Sequence, residues 1–184
     1  MKILVTGTPG SGKTTLSNYA KSVDDNRFVD ADEVDELCEW RRFDTGEVIG
    51  SVKDEMGNLV GSGEDDWYKL YGWYWREPVM LELLEKNDDV ILCGSSENIV
   101  DFYRMFDKVI ILKVDEETLL EHLSHPTRNN LFGQTAEQRK NFMGWQDYLL
   151  NEAKKYQPVI IELQKVDDIY RKVLREIGKP HRLA

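Results

Sequence analysis

The sequence predicts an α/β fold, a parallel sheet with helices on both faces, and two observations carry that prediction. Strand-like apolar runs recur at residues 2–6, 27–30, 90–93, 108–114 and 158–162, with stretches of helical character between them. Such alternation is the mark of parallel strands joined by crossover helices. The other observation is Gly7-Thr8-Pro9-Gly10-Ser11-Gly12-Lys13-Thr14, a full match to G-x-x-x-x-G-K-[ST] directly after the first run. That is a phosphate-binding loop: its glycines let several backbone N–H groups converge on an anion, and the helix that starts near Lys13 adds its positive N-terminal end. Lys13 would reach the β- and γ-phosphates and the Thr14 hydroxyl would ligate Mg²⁺. The nucleotide-binding set is then Gly7, Thr8, Pro9, Gly10, Ser11, Gly12, Lys13, Thr14 and Thr15.

The elements follow in order. Helices are expected at 13–22, 32–40, 66–86, 98–105, 116–123, 136–154 and 167–177, the stretches of helical character between the strands. Between the second strand and the long helix lies a compositional break over 41–66, where Gly46, Gly50, Gly57, Gly61 and Gly63 punctuate the pairs Val48-Ile49 and Leu59-Val60. It reads as a small β-hairpin or inserted lobe with Met56-Gly57-Asn58 near the turn. No internal repeat or low-complexity linker is evident.

Composition narrows the function. The 184 residues fit one domain with a substantial core. A net charge of −10, from 34 Asp and Glu against 24 Lys and Arg, disfavours nucleic acid as partner, because such binding draws on cations that neutralise phosphates. A small phosphorylated ligand remains compatible. Cys38 and Cys93 form no CxxC and read as reduced thiols of a cytosolic protein. No apolar run approaches the roughly 18 to 20 residues that span a bilayer, and the opening MKILV is a strand, not a signal peptide.

Further candidates for chemistry stand at strand ends and in one loop. Phe28-Val29-Asp30-Ala31-Asp32 ends the second strand with carboxylates two residues apart, at the edge where open α/β sheets bind ligands. One can serve Mg²⁺, directly or through water, and the other can accept a proton from a substrate hydroxyl. Alternatively Asp32 caps the helix that follows. Cys93 ends the third strand, so metal duty shifts to Asp30 or Asp32, while Gly94-Ser95-Ser96 offers N–H and hydroxyl donors or a helix cap. In the polar segment from His125 to Thr135, Arg128 is the only fixed cation. An arginine on a mobile loop can stabilise charge that develops in phosphoryl transfer. Trp67, Tyr68, Tyr71, Trp73, Tyr74 and Trp75 crowd one predicted helix, either as core or as a stacking platform near Arg41, Arg42 and Arg76.

With loop, carboxylates and arginine loop in this order, the chain resembles the small phosphate-loop kinases, the group of adenylate and other nucleoside monophosphate kinases, shikimate kinase and gluconate kinase. The likeness spans most of the chain, and the F-x-D-x-D at Phe28, Asp30 and Asp32 is similar to that of shikimate kinase. It implies a three-layer αβα P-loop NTPase fold over residues 1–184, a five-stranded parallel sheet ordered 2-3-1-4-5, ATP with Mg²⁺, an acceptor lobe over 33–86 and a lid over 124–135. Two positions depart from the pattern: Cys93-Gly94 stands where nucleoside monophosphate kinases have Asp-Gly, and His122 where an adenine-stacking Arg is common. An R-x-N-x-F-G pattern at Arg128, Asn130, Phe132 and Gly133 is similar to that of short bacterial and phage ATPases, a likeness that carries no substrate.

The resulting expectation is a cytoplasmic, Mg-ATP-dependent kinase of a small-molecule acceptor. Lys13 neutralises phosphates, Thr14 and Asp30 hold the metal, Asp32 orients or deprotonates the acceptor hydroxyl, and Arg128 closes over the transition state. A nucleoside or nucleotide kinase, and an ATPase or switch with no small acceptor, are the alternatives. The oligomeric state is left open.

Overall fold

The computed structural model describes residues 1–50, 67–124, 133 and 135–177. The chain runs β1 (Lys2–Thr6), α1 (Lys13–Ser22), β2 (Phe28–Asp30), a 3₁₀ turn at Ala31–Glu33, β3 (Cys38–Arg42), β4 (Val48–Gly50), α2 (Trp67–Leu70), β5 (Tyr71–Trp75) and α3 (Glu77–Lys86). It continues through β6 (Val90–Cys93), α4 (Ile99–Phe102), β7 (Lys108–Lys113), α5 (Glu116–Leu123), α6 (Ala136–Glu152), β8 (Val159–Glu162) and α7 (Val166–Ile177).

The main sheet has the order β2-β6-β1-β7-β8, every neighbouring pair parallel. Counted within this sheet, that is the expected 2-3-1-4-5. Side chains alternate across it as period-2 geometry requires. Leu4, Val90, Leu92, Val109 and Ile111 face a core closed by Met80 and Leu84 of α3, Phe102 of α4 and Leu149 of α6. Ile3, Val5, Ile91, Cys93, Ile110 and Leu112 face the opposite core, closed by Leu16 and Ala20 of α1 and Ile169 and Val173 of α7. Three layers result. Beyond the end of β7, the buried Gln146 of α6 brackets Val114: its Oε1 accepts from the Val114 N–H (2.8 Å) and its Nε2 donates to the Val114 carbonyl (2.9 Å).

A second, antiparallel sheet, β4-β3-β5, lies in the chain between β2 and α3. Its hairpin turns at residues 42–47, where Arg42 N donates to Glu47 O and Gly46 N to Arg42 O, both at 2.9 Å. The segment after β6 binds the open edge of β5. Glu97 N donates to Trp73 O (2.7 Å), and the Asn98 amide accepts from Trp75 N and donates to Trp75 O, both at 2.9 Å. Gly94 makes this docking possible, since a Cβ there would stand 2.5 Å from the Ala31 Cβ and 2.7 Å from the Trp75 ring.

One expected helix is absent and another is interrupted by a strand. Residues 32–40 form the 3₁₀ turn and the start of β3 instead, because Glu36 takes a left-handed backbone, φ 59°, that ends any helix. The stretch 66–86 divides into α2, β5 and α3. The apparent helical face of aromatic residues was fortuitous: Tyr71-Gly72-Trp73-Tyr74-Trp75 has the composition of a strand, and Pro78 fits only the first turn of the helix it opens. The turn expected at Met56-Gly57-Asn58 lies outside the described residues. No helix among them is long and apolar enough to cross a membrane.

Candidate active site

The loop joining β1 to α1 sits at the C-terminal edge of the main sheet, against β7. Gly7 is required there, because a Cβ would lie 2.6 Å from the Leu112 carbonyl oxygen. Gly12 precedes α1 with φ 87°. The Lys13 ammonium folds over the loop, donating to Gly7 O (2.8 Å), Thr8 O (2.9 Å) and Ser11 Oγ (3.4 Å). Thr14 and Thr15 are exposed in the first turn of α1. Pro9 and Gly10 are half-buried.

Two contacts that the sequence did not disclose fasten this loop to the helices beside it. Thr8 Oγ1 donates to Phe142 O in α6 (2.9 Å), and His122 Nδ1 of α5 lies 2.9 Å from Gly10 O. A carbonyl only accepts, so Nδ1 of His122 carries the proton. Neither contact leaves a sequence signal, as each joins residues more than a hundred positions apart. Arg128 lies outside the described residues. At the base of the expected lid, Thr135 and Gln138 form a reciprocal cap on α6, Gly133 N donates to Gln138 Oε1 (2.9 Å), and Arg139 Nη1 donates to Gly133 O (3.3 Å).

Asp30 and Asp32 meet the sheet edge in different ways. Asp30 is buried and pairs in register with Cys93; its Oδ1 accepts from the Asp32 N–H (3.1 Å), and its Oδ2 from Ser17 Oγ (3.4 Å). The capping carboxylate of this segment is therefore Asp30 and not Asp32. Ser17 Oγ also contacts Thr14 O at 3.0 Å, linking Asp30 to the start of α1. Asp32 is exposed, yet protein surrounds much of its carboxyl group. Its Oδ1 accepts from Trp73 Nε1 (3.0 Å) with Cys38 Sγ at 3.8 Å, while Oδ2 accepts no hydrogen bond among the described residues.

Burial, then the neighbouring charge of Asp30, raises the pKa of Asp32; the Trp73 hydrogen bond and the Lys13 charge pull against that rise. Burial pushes the Cys93 thiol far up, so it stays a neutral thiol at the end of β6. Of the donors expected after β6, Gly94 N is spent on Val5 O (3.0 Å) and Ser96 Oγ on Asn98 Oδ1 (3.1 Å); Ser95 Oγ accepts from Trp145 Nε1 (3.4 Å). The arrangement thus joins the glycine-rich loop, a lysine and a carboxylate, one of whose oxygens accepts no hydrogen bond among the described residues, at a single sheet edge.

The family model described as AAA domain matches residues 3–131, more than half of the chain. The chain belongs to the AAA domain family. No curated protein matches it. Among solved structures, this AAA-domain chain is similar to shikimate kinase from Acinetobacter baumannii in complex with shikimate: 18% identity, 95% of this chain and 91% of that one covered, TM-score 0.57. A gluconokinase from Sinorhizobium meliloti 1021 matches at 14% identity, 96% and 91% coverage and TM-score 0.53. Deoxyadenosine kinase from M. mycoides with bound dATP matches at 13% identity, 97% and 100% coverage and TM-score 0.55. The fold is that of the small P-loop kinases.

Proposed function

We propose that this chain is an ATP-dependent kinase that moves the γ-phosphoryl group to the hydroxyl of a small-molecule acceptor. The observation that carries the reading is Asp32: it is oriented by Trp73, has one oxygen without a partner among the described residues, lies within the electrostatic reach of Lys13, and has a raised pKa. A carboxylate so tuned suits the transfer of a proton from an alcohol. A loop that only hydrolysed nucleotide would need no such base beside the small sheet. The kinase names of the three solved neighbours described above support the same reading.

The roles follow from position. Amides of residues 7–14 and Lys13 hold the phosphates, with Lys13 exchanging the carbonyls of Gly7 and Thr8 for phosphate oxygens. Thr14, exposed at the loop's exit, fits Mg²⁺ as a direct ligand. Asp30, whose two oxygens already accept from Asp32 N and Ser17, fits it through water. When bound, Mg²⁺ supplies charge neutralisation on the β- and γ-phosphate oxygens. Asp32 Oδ2 accepts the acceptor's proton as the oxygen attacks phosphorus. Arg128, from the segment between α5 and α6, supplies positive charge over the transferring group. The small sheet β4-β3-β5 forms the acceptor wall, and buried thiols at Cys38 and Cys93 suit a cytoplasmic setting.

Asp32→Asn tests this directly. It should abolish the stimulation of ADP release by the acceptor while residual hydrolysis to water survives. Full stimulation in the Asn variant would remove Asp32 from the mechanism.

A further inference from the structure

The tip of the phosphate loop rests on one face of α5, and the contact bears on how phosphate is held, given the nucleotide-site reading above. Leu119, His122 and Leu123 are spaced i, i+3 and i+4, so they share that face. Both leucines are buried, and a Cβ on Gly10 would lie 2.8 Å from Leu119 Cδ1 and 3.2 Å from Leu123 Cδ2. A glycine lets the loop backbone come this close. His122, half-buried, donates its Nδ1–H to the Gly10 carbonyl at 2.9 Å. The leucines have no donor to offer, so of the three side chains only His122 can hold that carbonyl.

The peptide that joins Gly10 to Ser11 is trans, so its N–H points opposite to its C=O. With the carbonyl held on α5, the Ser11 N–H is turned away from that helix, and it donates to Thr8 O at 3.1 Å. The Lys13 ammonium donates to the same oxygen at 2.9 Å. Two donors of the loop, one backbone and one side chain, therefore converge on a single oxygen. A phosphate oxygen is the stronger acceptor for both, because it is charged. Nothing within Gly10 itself fixes this peptide. A glycine takes φ on either side of zero with similar ease, here 85°, and a peptide turned over would aim its carbonyl oxygen at the anion.

We infer that His122 is a positioning residue for the nucleotide's phosphates: by holding the Gly10 carbonyl on α5, it keeps the Ser11 N–H turned to the point where that amide and Lys13 share an acceptor. The imidazole acts through the loop backbone and not on the base. It needs no charge for this, since Nδ1–H is a donor in the neutral ring as well.

The test is calorimetric titration of the full chain with two probes, inorganic tripolyphosphate and Mg-ATP. Tripolyphosphate has phosphates and no base, so it reads the loop alone. His122→Phe keeps a ring and loses the donor; His122→Asn loses the ring and keeps an N–H near the place of Nδ1. The Phe variant should raise Kd for both probes by a similar factor, about five- to tenfold, as the loss of one hydrogen bond predicts, and the Asn variant should stay within about twofold of wild type. Tripolyphosphate binding unchanged in a folded Phe variant overturns the inference. So does weakening confined to Mg-ATP, which would put the ring on the base, and so does an Asn variant as weak as Phe; each leaves the nucleotide site standing. Failure of both probes to bind the wild-type chain overturns the nucleotide-site reading itself. A second measurement needs no variant to fold: in the wild-type chain the Ser11 amide proton should move downfield in NMR spectra when tripolyphosphate is added. An amide that stays in place while tripolyphosphate binds overturns the role assigned to it.

Discussion

The phosphate loop and the small sheet stand at the same edge of the molecule but are made differently. In the loop the groups proposed to bind phosphate are backbone amides and one lysine, shaped by residues adjacent in sequence and then fastened by Thr8 to α6 and by His122 to α5. In the small sheet the working surface is assembled from side chains that only tertiary pairing brings together: Trp73 with Asp32, 41 residues apart, and Trp40 with Trp73. The first region is specified locally and suits a ligand part common to a large group of enzymes. The second is specified by strand register, so its chemistry can change by substitution on one face while the loop stays as it is.

Three substitutions break the comparison at different points, beginning with the largest effect. Lys13→Ala should lower nucleotide turnover by about 10²-fold or more, since it removes the one mobile charge of the cradle, while circular dichroism and melting temperature stay close to wild type. Turnover equal to wild type in that folded variant would take the loop out of the chemistry. Asn98→Ala attacks the other region. Its amide holds both the N–H and the carbonyl of Trp75, so loss should cost about 2 kcal/mol in urea unfolding and should depress acceptor-stimulated turnover with nucleotide Kd unchanged. A matching fall in nucleotide affinity would mean that the two regions do not act separately.

The smallest effect is expected from Trp73→Phe, read in the pH profile. The Trp73 N–H favours the ionised form of Asp32, so removing it raises the pKa of a carboxyl that burial and Asp30 already hold above its usual value. Because the base works ionised, the acidic limb of kcat/KM should move to higher pH. A limb that stays in place, or moves to lower pH, would show that another group sets it.

The same division explains what the sequence disclosed. The parallel sheet was legible because β1, β6 and β7 are short apolar runs bounded by clear turns, its strand order came only from the resemblance to the small phosphate-loop kinases, and the loop was legible because its glycines and lysine are contiguous. Helices α1 and α5 were read at their observed limits. Residues 66–86 misled because aromatic residues at 67, 71, 74 and 75 mimic a helical face; Pro78 and the run from Tyr71 to Trp75 were the contrary signals. Asp30 and Asp32 were legible as a pair by their strand-end spacing. That Asp30 would cap the turn and Asp32 bond Trp73 was not, because both outcomes depend on β5 folding back beside β3.

The central claim is transfer to an alcohol rather than to water. The most direct measurement follows the fate of the γ-phosphate of labelled ATP, with wild-type protein and a panel of alcohols present. The account predicts that the label leaves as an organic phosphate ester in the presence of the right alcohol, and that Asp32→Asn diverts it to inorganic phosphate. Label found only as inorganic phosphate with every alcohol tested, at an unchanged rate, would contradict it.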